Sequence, residues 1–271
     1  MTTDGHDHGR RRYLTAKRGV DERARNERVR RRLVAELPAT ARVTEWGPGV
    51  GLSVPTLYDW TRVSSYLGVD ADPALVAFAR HLLPRLLARR GDEQSGERRF
   101  AVGDALDTET RPCDLLYAQS FFDLVAVERA LDAVRRAVKP GGVAYAPLTF
   151  DGRTTLLPRH PADETVLGAF HDSIDATGGQ SRAATALVES LGDRDATLLG
   201  VGSSDWVVRP RPDGYRGDER YFLASILDIV AETVGERATT DGWLTTRRTQ
   251  LADGRLTYMA HNYDVLWRPA P

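Results

Sequence analysis

Apolar positions recur along this chain at two spacings, and the switch between them outlines its elements. Val20, Ala24, Val29, Leu33 and Leu37 fall about one helical turn apart on a background of arginines and glutamates, so residues 20–37 read as a helix that Pro38 ends. Residues 42–46 and 64–69 are short strand-like runs, the second ending at Asp70. Asp72-Pro73 then opens a helix, with Asp72 as N-cap and proline in the first turn. Leu75, Phe78, Ala79, Leu82, Leu83 and Leu86 supply its buried stripe. Residues 91–98 are polar and read as a loop, 99–103 as a third strand ending at Asp104, and 113–118 as a fourth. Residues 125–138 form an amphipathic helix stopped by Lys139-Pro140-Gly141-Gly142, and 143–150 a fifth strand. Strands alternating with helices at this rhythm predict an α/β fold with a doubly wound parallel sheet. Its crossovers should be right-handed, and ligands should lie beyond the carboxyl ends of the strands.

After Phe150 the rhythm breaks. Pro158, Pro161, Gly178 and Gly179 bracket a helix over 164–174, and 181–191 reads as another with Ser181 as its cap. Residues 196–208 look like a strand, 221–234 and 243–251 like helices, and 256–267 like a closing strand. No internal repeat or low-complexity linker divides the chain. One domain is therefore expected: a helical lid over 1–38, a core over 40–150, a cap insertion over 151–194, and 195–271 completing the sheet.

Composition narrows the class. The hydrophobic fraction of 41% and charged fraction of 28% are those of a soluble globular protein. Cys113 is the single cysteine, so no internal disulfide forms, and its strand context makes it a small core residue. The start, MTTDGHDHGRRR, lacks the apolar run of a signal peptide, and no stretch is apolar enough to span a bilayer. A cytoplasmic protein is expected. His6 and His8 in a polar tail read as solvated, and no metal site is expected. The net charge of -1 argues against general affinity for nucleic acid. Cations are nevertheless dense between Arg10 and Arg32, opposed only by Asp21, Glu22 and Glu27. They form either a solvated helix face or a basic lid over an anionic substrate.

The chemistry starts at Glu45-Trp46-Gly47-Pro48-Gly49-Val50-Gly51, where a strand runs into a turn with glycine at alternate positions. Glycine lets the backbone bend and approach a ligand closely. The spacing departs from the dinucleotide fingerprint, whose third glycine would fall at Leu52. Glu45-x-Gly47-x-Gly49-x-Gly51 instead resembles the first motif of the class I S-adenosylmethionine (SAM)-dependent methyltransferases. Four further segments match that family in order: Gly68-Val69-Asp70-Ala71-Asp72-Pro73, Gly103-Asp104-Ala105, Asp114-Leu115-Leu116-Tyr117-Ala118-Gln119 and Val138-Lys139-Pro140-Gly141-Gly142. The resemblance covers about residues 40–150 and rests on the conjunction.

The resemblance implies a mostly parallel seven-stranded sheet with its last strand antiparallel, a helical insertion between strands five and six, and SAM as cofactor. Glu45, Gly47, Gly49, Gly51, Asp70, Ala71, Asp104, Ala105 and Gln119 are the implied cofactor residues. Asp70 would accept from the ribose diol and Asp104 from the adenine amino group. Glu45 has a structural alternative, as a carboxylate capping nearby backbone amides.

The acceptor is harder to read, because in-line methyl transfer needs alignment more than any one side chain. The asparagine-proline-proline-tyrosine signature of enzymes that methylate amide or exocyclic nitrogens is replaced by Gln119-Ser120-Phe121-Phe122. A small, anionic metabolite is the expected acceptor, nucleic acid is not an expected partner, and the chain should be a monomer or homodimer. Tyr13, Lys17 and Arg182 are the candidate substrate residues, and His171 beside Asp172 the candidate base. Ser203-Ser204-Asp205-Trp206 and His261-Asn262 place polar groups inside strand-like runs, while Tyr145 reads as packing. Three other readings stay open: a nicotinamide-dependent oxidoreductase, an RNA methyltransferase using the basic N-terminus, and a SAM-binding protein without catalysis.

Overall fold

The computed structural model describes residues 3–88, 96–235 and 238–270. The side chains of His6 and His8, and positions 91–95 of the expected loop, lie outside the described residues. Among the described residues, β1 (Thr40–Trp46), β2 (Arg62–Asp70), β3 (Glu97–Val102), β4 (Cys113–Tyr117), β5 (Val138–Leu157), β6 (Thr197–Ser203), β7 (Trp206–Val208) and β8 (Thr257–Arg268) form one sheet. Its order is β3-β2-β1-β4-β5-β8-β6, with β7 paired to another part of β8. β1 to β5 run parallel, and β8 is antiparallel to β5, β6 and β7. The expected 196–208 strand is thus two, broken at Ser204-Asp205. The buried Ser204 passes its N–H to the Asn262 carbonyl there, at 2.8 Å.

Strand alternation explains the two layers of core. Along β4, Leu115 and Tyr117 pack on one face with Leu57, Val76 and Phe100, while Leu116 packs on the other with Val134 and Leu187. Both faces are covered, so the strand reads as continuously apolar. The first face is roofed by α2 (Glu27–Glu36), α3 (Val54–Trp60) and α4 (Pro73–Ala88), the second by α5 (Val127–Ala137) and α7 (Ala183–Gly192). Cys113 is fully buried, and burial pushes its thiol up to about 11, which suits an inert core residue.

A third core cluster lies between α1 (Thr3–Ala24), α6 (Asp163–Ala176), α8 (Glu219–Val234), α9 (Ala238–Ala252) and the far halves of β5 and β8. β5 outruns its expected end at Phe150 because bulges near Ala146 and Phe150 let it stay paired with β8 as far as Leu157. The wholly buried Arg247 ties this lobe together, donating to Asp163, to the Pro158 carbonyl at 2.6 Å and to Gln250 at 2.7 Å.

Three expectations need correction. The 20–37 helix is two, because Asn26 caps α2 by accepting from the Arg28 and Val29 N–H groups at 3.1 Å each. α3 was not foreseen at all. Ser181 does not cap α7: the helix starts at Ala183, and the Ser181 hydroxyl donates to Asp175 at 2.9 Å.

Candidate functional site

The site gathers at the carboxyl ends of β1, β2 and β4. Gly47, Gly49 and Gly51 have φ of 63°, 54° and 75°, a region that disfavours any residue with a Cβ. Space argues the same way. A Cβ on Gly47 would lie 3.0 Å from the Phe121 ring, and one on Gly49 would lie 3.1 Å from Leu14 Cδ1. The loop is thus a narrow backbone cradle between the exit of β4 and α1. The Gly47 N–H anchors to the Val69 carbonyl at 2.9 Å.

Asp70 ends β2 and binds that cradle directly. Its Oδ2 accepts the Gly49 N–H at 2.9 Å and its Oδ1 accepts the Asp72 N–H at 3.0 Å. A carboxylate has about four acceptor directions, so capacity remains for a diol. Ala71 beside it is exposed. Asp72 caps α4 as expected, accepting from Ala74 and Leu75. Asp104 is half exposed, accepts from the Leu106 N–H at 2.9 Å and from Arg129 at 3.1 Å, and has the buried Ala105 beside it.

Glu45 is enclosed, 2% exposed. Its two oxygens accept from the Ser53 hydroxyl at 2.5 Å and the Tyr66 hydroxyl at 2.7 Å. Burial pushes its carboxyl up to about 7, against the pull of those two hydroxyls. It therefore braces the loop from beneath, through Ser53 at its far end, with hydroxyls rather than backbone amides as its partners.

α1 lies across the opening. Tyr13, Lys17 and Asp21 recur every four residues and share one face of the helix, with Arg25 just past its end. Lys17 Nζ donates to Asp21 Oδ2 at 2.8 Å and to Ser120 Oγ at 3.1 Å, and sits 4.8 Å from the Trp206 ring centroid. Gln119 donates from Nε2 to the same Asp21 oxygen at 3.0 Å, and its Oε1 accepts from Arg25 at 2.8 Å and from the Tyr117 hydroxyl at 2.6 Å. Arg25 also donates to the Tyr117 hydroxyl at 3.1 Å and lies over Trp60. Tyr13 stacks on Phe222, and burial holds its hydroxyl well above the usual tyrosine range. Ser120 adopts φ 47° at the head of this group, a strained geometry of the kind that concentrates at functional sites. Tyr13 and Lys17 have the Tyr-x-x-x-Lys spacing of hydride-transfer enzymes, yet Lys17 is committed to Asp21 and Ser120 rather than to the phenol.

The structure therefore brings Tyr13, Lys17 and Gln119 together. His171 and Arg182 are placed differently. His171 Nε2 meets Thr154 Oγ1 at 3.1 Å, between the rings of Phe150 and Phe170, and burial lowers its pKa despite Asp172 and Asp175. Beside it lies a small cavity of about 30 Å³, lined by Thr154, Phe170, Trp243 and Tyr258, too small for a metabolite. Arg182 is exposed, with its Cγ against Gly152. Tyr145 is buried and donates to Asp264 at 2.5 Å, a packing role with a polar handle. His261 and Asp205 pair at 2.7 Å and pin β7 to β8.

Sequence reasoning missed Asp264, which accepts the Leu148 N–H at 3.0 Å and the Asn26 N–H at 2.9 Å and so docks the α1–α2 corner on the sheet. It also missed Asp21, Arg25 and Asp123 as site groups. The spacing of Tyr13, Lys17, Asp21 and Arg25 was a usable signal, hidden within a run otherwise dominated by arginine.

Residues 44–146 match the model of a methyltransferase domain. No curated protein matches the chain by sequence. Solved structures with the same fold include a Bacillus halodurans protein assigned as a methyltransferase, with a TM-score of 0.56 and 13% identity over 88% of this chain and 96% of that one. The YcgJ protein of Bacillus subtilis gives 0.54 at 14% identity, over 91% and 100%. A SAM-dependent methyltransferase of Thiobacillus denitrificans, solved with S-adenosylhomocysteine, gives 0.51 at 16%, over 91% and 93%. Such identities speak for the fold alone. Among the described residues no helix is long and apolar enough to cross a membrane, and no group of His, Cys, Asp and Glu is arranged to hold a metal. The domain match falls on the same stretch that builds the glycine cradle, Asp70 and Asp104, so residues 44–146 are similar to a methyltransferase domain where the chain carries that geometry.

Proposed function

We propose that this enzyme methylates a small, neutral acceptor enclosed between α1 and the carboxyl ends of the strands. The observation that carries the reading is the left-handed glycine loop tied through Gly49 to Asp70 and roofed by Leu14. SAM, when bound, supplies a methyl group on a positively charged sulfur. The residues present fit that group: the cradle admits only backbone, Asp70 and Asp104 retain acceptor capacity, and Gln119 stands where β4 leaves the sheet. In this reading Gly47, Gly49, Gly51, Asp70, Ala71, Asp104, Ala105 and Gln119 hold the cofactor, and Glu45 braces the loop.

The acceptor expected from sequence was anionic, on the strength of the basic N-terminus. Most of those cations are engaged within the molecule. Arg10 pairs with Asp72, Arg12 with Asp218, Lys17 with Asp21, Arg23 with Glu219 and Arg32 with Glu36. Arg182 and His171 are apart from the α1 group in the described contacts. What packs against α1 instead is an aromatic cluster, Tyr13 on Phe222 and Trp206 against the same ring. A neutral acceptor with an apolar or aromatic body suits this cluster better than an anion or an RNA strand. The chain's own part is then to seat donor and acceptor in line and to exclude water, the roof of α1 serving both.

Calorimetric titration with S-adenosylhomocysteine, with NAD as control, tests the cofactor site: micromolar binding of the first alone is expected, and binding of NAD alone overturns it. Methyl transfer from SAM to matched neutral and carboxylated acceptors then tests the acceptor class. Transfer confined to the carboxylated set would restore the anionic reading.

A further inference from the structure

On and beside α1, two buried carboxylate oxygens have no hydrogen-bond partner among the described residues. Asp21 is 4% exposed; its Oδ2 holds Lys17 and Gln119, but its Oδ1 is buried without a hydrogen bond. The Trp206 indole N–H, also without a hydrogen bond of good geometry, is directed at that carboxylate and lowers its pKa. Asp123 belongs to the one-turn 3-10 helix Phe122–Leu124 that follows Ser120 and Phe121, and its Oδ1 is likewise buried and unbonded. An unmade hydrogen bond at a buried carboxylate oxygen is costly, so Asp123, whose Oδ1 meets no donor among the described residues, calls for one from outside the chain.

The position of Asp123 is built rather than incidental. Its carbonyl accepts the Gln180 N–H at 3.0 Å, and a Cβ on Gly179 would come within 2.4 Å of the same carbonyl, so the α6–α7 loop clamps its backbone. Phe121, two residues back, lies against Gly47 and Trp46, which sets this turn beside the glycine cradle. Lys17 acts on the Asp123 carboxylate, and both Asp123 and Asp21 act on the Tyr13 phenol. The carboxylate therefore lies at the junction of the cofactor loop and the roof.

We infer that Asp123 is the general base of this enzyme, taking the proton of an acceptor hydroxyl through its unpartnered Oδ1. The inference rests on the proposed methyl transfer and deepens it. A hydroxyl is a poor nucleophile until it loses its proton. As the acceptor oxygen forms its bond to the methyl carbon, the carbon–sulfur bond breaks with its electron pair passing to sulfur. The hydroxyl proton moves to the Asp123 carboxylate and later to water. The products are a methyl ether, S-adenosylhomocysteine and one proton, and no further reactant is needed. A hydroxyl suits the site better than an ammonium, because the Lys17 ammonium already occupies the roof and would repel a second cation. Burial pushes the Asp123 carboxyl up to about 6, near the range in which a carboxylate serves as base at neutral pH. The charged group that acts on it is Lys17 of α1, which lowers its pKa and is itself paired with Asp21.

The test needs no known acceptor. Sinefungin carries an amine-bearing carbon where SAM carries its methylated sulfur, so it directs an ammonium to the place where the acceptor loses its proton. Affinities for sinefungin and S-adenosylhomocysteine are measured by calorimetry in the wild type and in Asp123→Asn, a shape-preserving change. The expected result is a roughly tenfold fall in the sinefungin-to-S-adenosylhomocysteine affinity ratio, about the strength of one charge-assisted hydrogen bond, with S-adenosylhomocysteine affinity within about twofold. In the wild type, with no variant needed, the ratio should rise as pH increases through about 6, as the carboxylate ionises. A ratio unchanged by Asp123→Asn, or flat with pH in the wild type, overturns the assignment. If neither compound binds the wild type, the cofactor reading itself has failed, which is a separate outcome.

Discussion

Carboxylates at the ends of adjacent strands meet opposite fates here, and the difference follows from what each touches. Glu45 ends buried under the glycine loop between two hydroxyls, while Asp70 reaches the loop's backbone from the side and keeps free acceptor directions. Asp70→Ala should therefore lower S-adenosylhomocysteine affinity by one to two orders of magnitude, since it removes both the ribose acceptor and the tie to Gly49, and hydrogen bonds to charged groups contribute about 1.5–3 kcal/mol each. Calorimetry reads this directly, and an affinity within threefold of wild type would remove Asp70 from the site. Asp70 was legible because its distance beyond the glycine turn is fixed by one short strand-helix-strand unit. Asp123 was not, since nothing in Phe121-Phe122-Asp123 distinguishes a base from a turn residue until its buried, unbonded oxygen is seen.

At the scale of the element, α1 decides whether the cradle is open or closed. It is held at its end by Arg25, whose guanidinium donates to Tyr117 and Gln119, and by the Asn26 N–H on Asp264. Further along, Arg12 pairs with Asp218 and Arg23 with Glu219, both on or beside α8. The first of these pairs is exposed on both sides and contributes little. The partly buried Arg25 latch should dominate. Arg25→Ala should leave the sheet intact and raise hydrogen exchange in α1 by tenfold or more, with slower exchange restored by S-adenosylhomocysteine. Unchanged exchange in α1 would mean that its apolar face, Ala16 and Val20 against α8 and β7, suffices to hold it. The strands of the core were legible because their apolar runs are bounded by glycine, proline and aspartate. The missed α3 is seven residues long, too short for its period to register, and the Arg25–Asn26 break shows only once Asp264 is there to receive it.

For the whole molecule, the mostly parallel, doubly wound core was legible, because buried parallel strands and amphipathic helices each carry their own period. The third core cluster, where the far halves of β5 and β8 meet α1, α6, α8 and α9, was not. It is built from pairings between segments distant in sequence. The same burial leaves a mark on stability. Glu45 is raised to about 7 from a carboxyl that titrates near 4.5 when unfolded, and Asp123 is raised to about 6. In the window between each pair of values the folded chain binds more protons than the unfolded one, so stability falls as pH rises. The contribution is fully present below about 4.5 and is lost as pH passes through about 7 for Glu45. Paired surface carboxylates such as Glu128 and Asp132, held low by Ser190 and Arg194, act in the opposite sense at lower pH, so the net curve alone does not isolate the effect. Glu45→Gln does. The hydroxyls of Ser53 and Tyr66 can rotate to serve the amide, the ionisation disappears, and the variant should lose less stability than wild type between pH 5 and pH 8. The difference should be on the order of 2–3 kcal/mol, because about two pKa units of the window, from pH 5 to the folded value of about 7, fall in that range at 1.36 kcal/mol each. Urea unfolding across that range checks it, and parallel curves for the two proteins would mean that Glu45 ionises in the folded state as readily as in the unfolded chain.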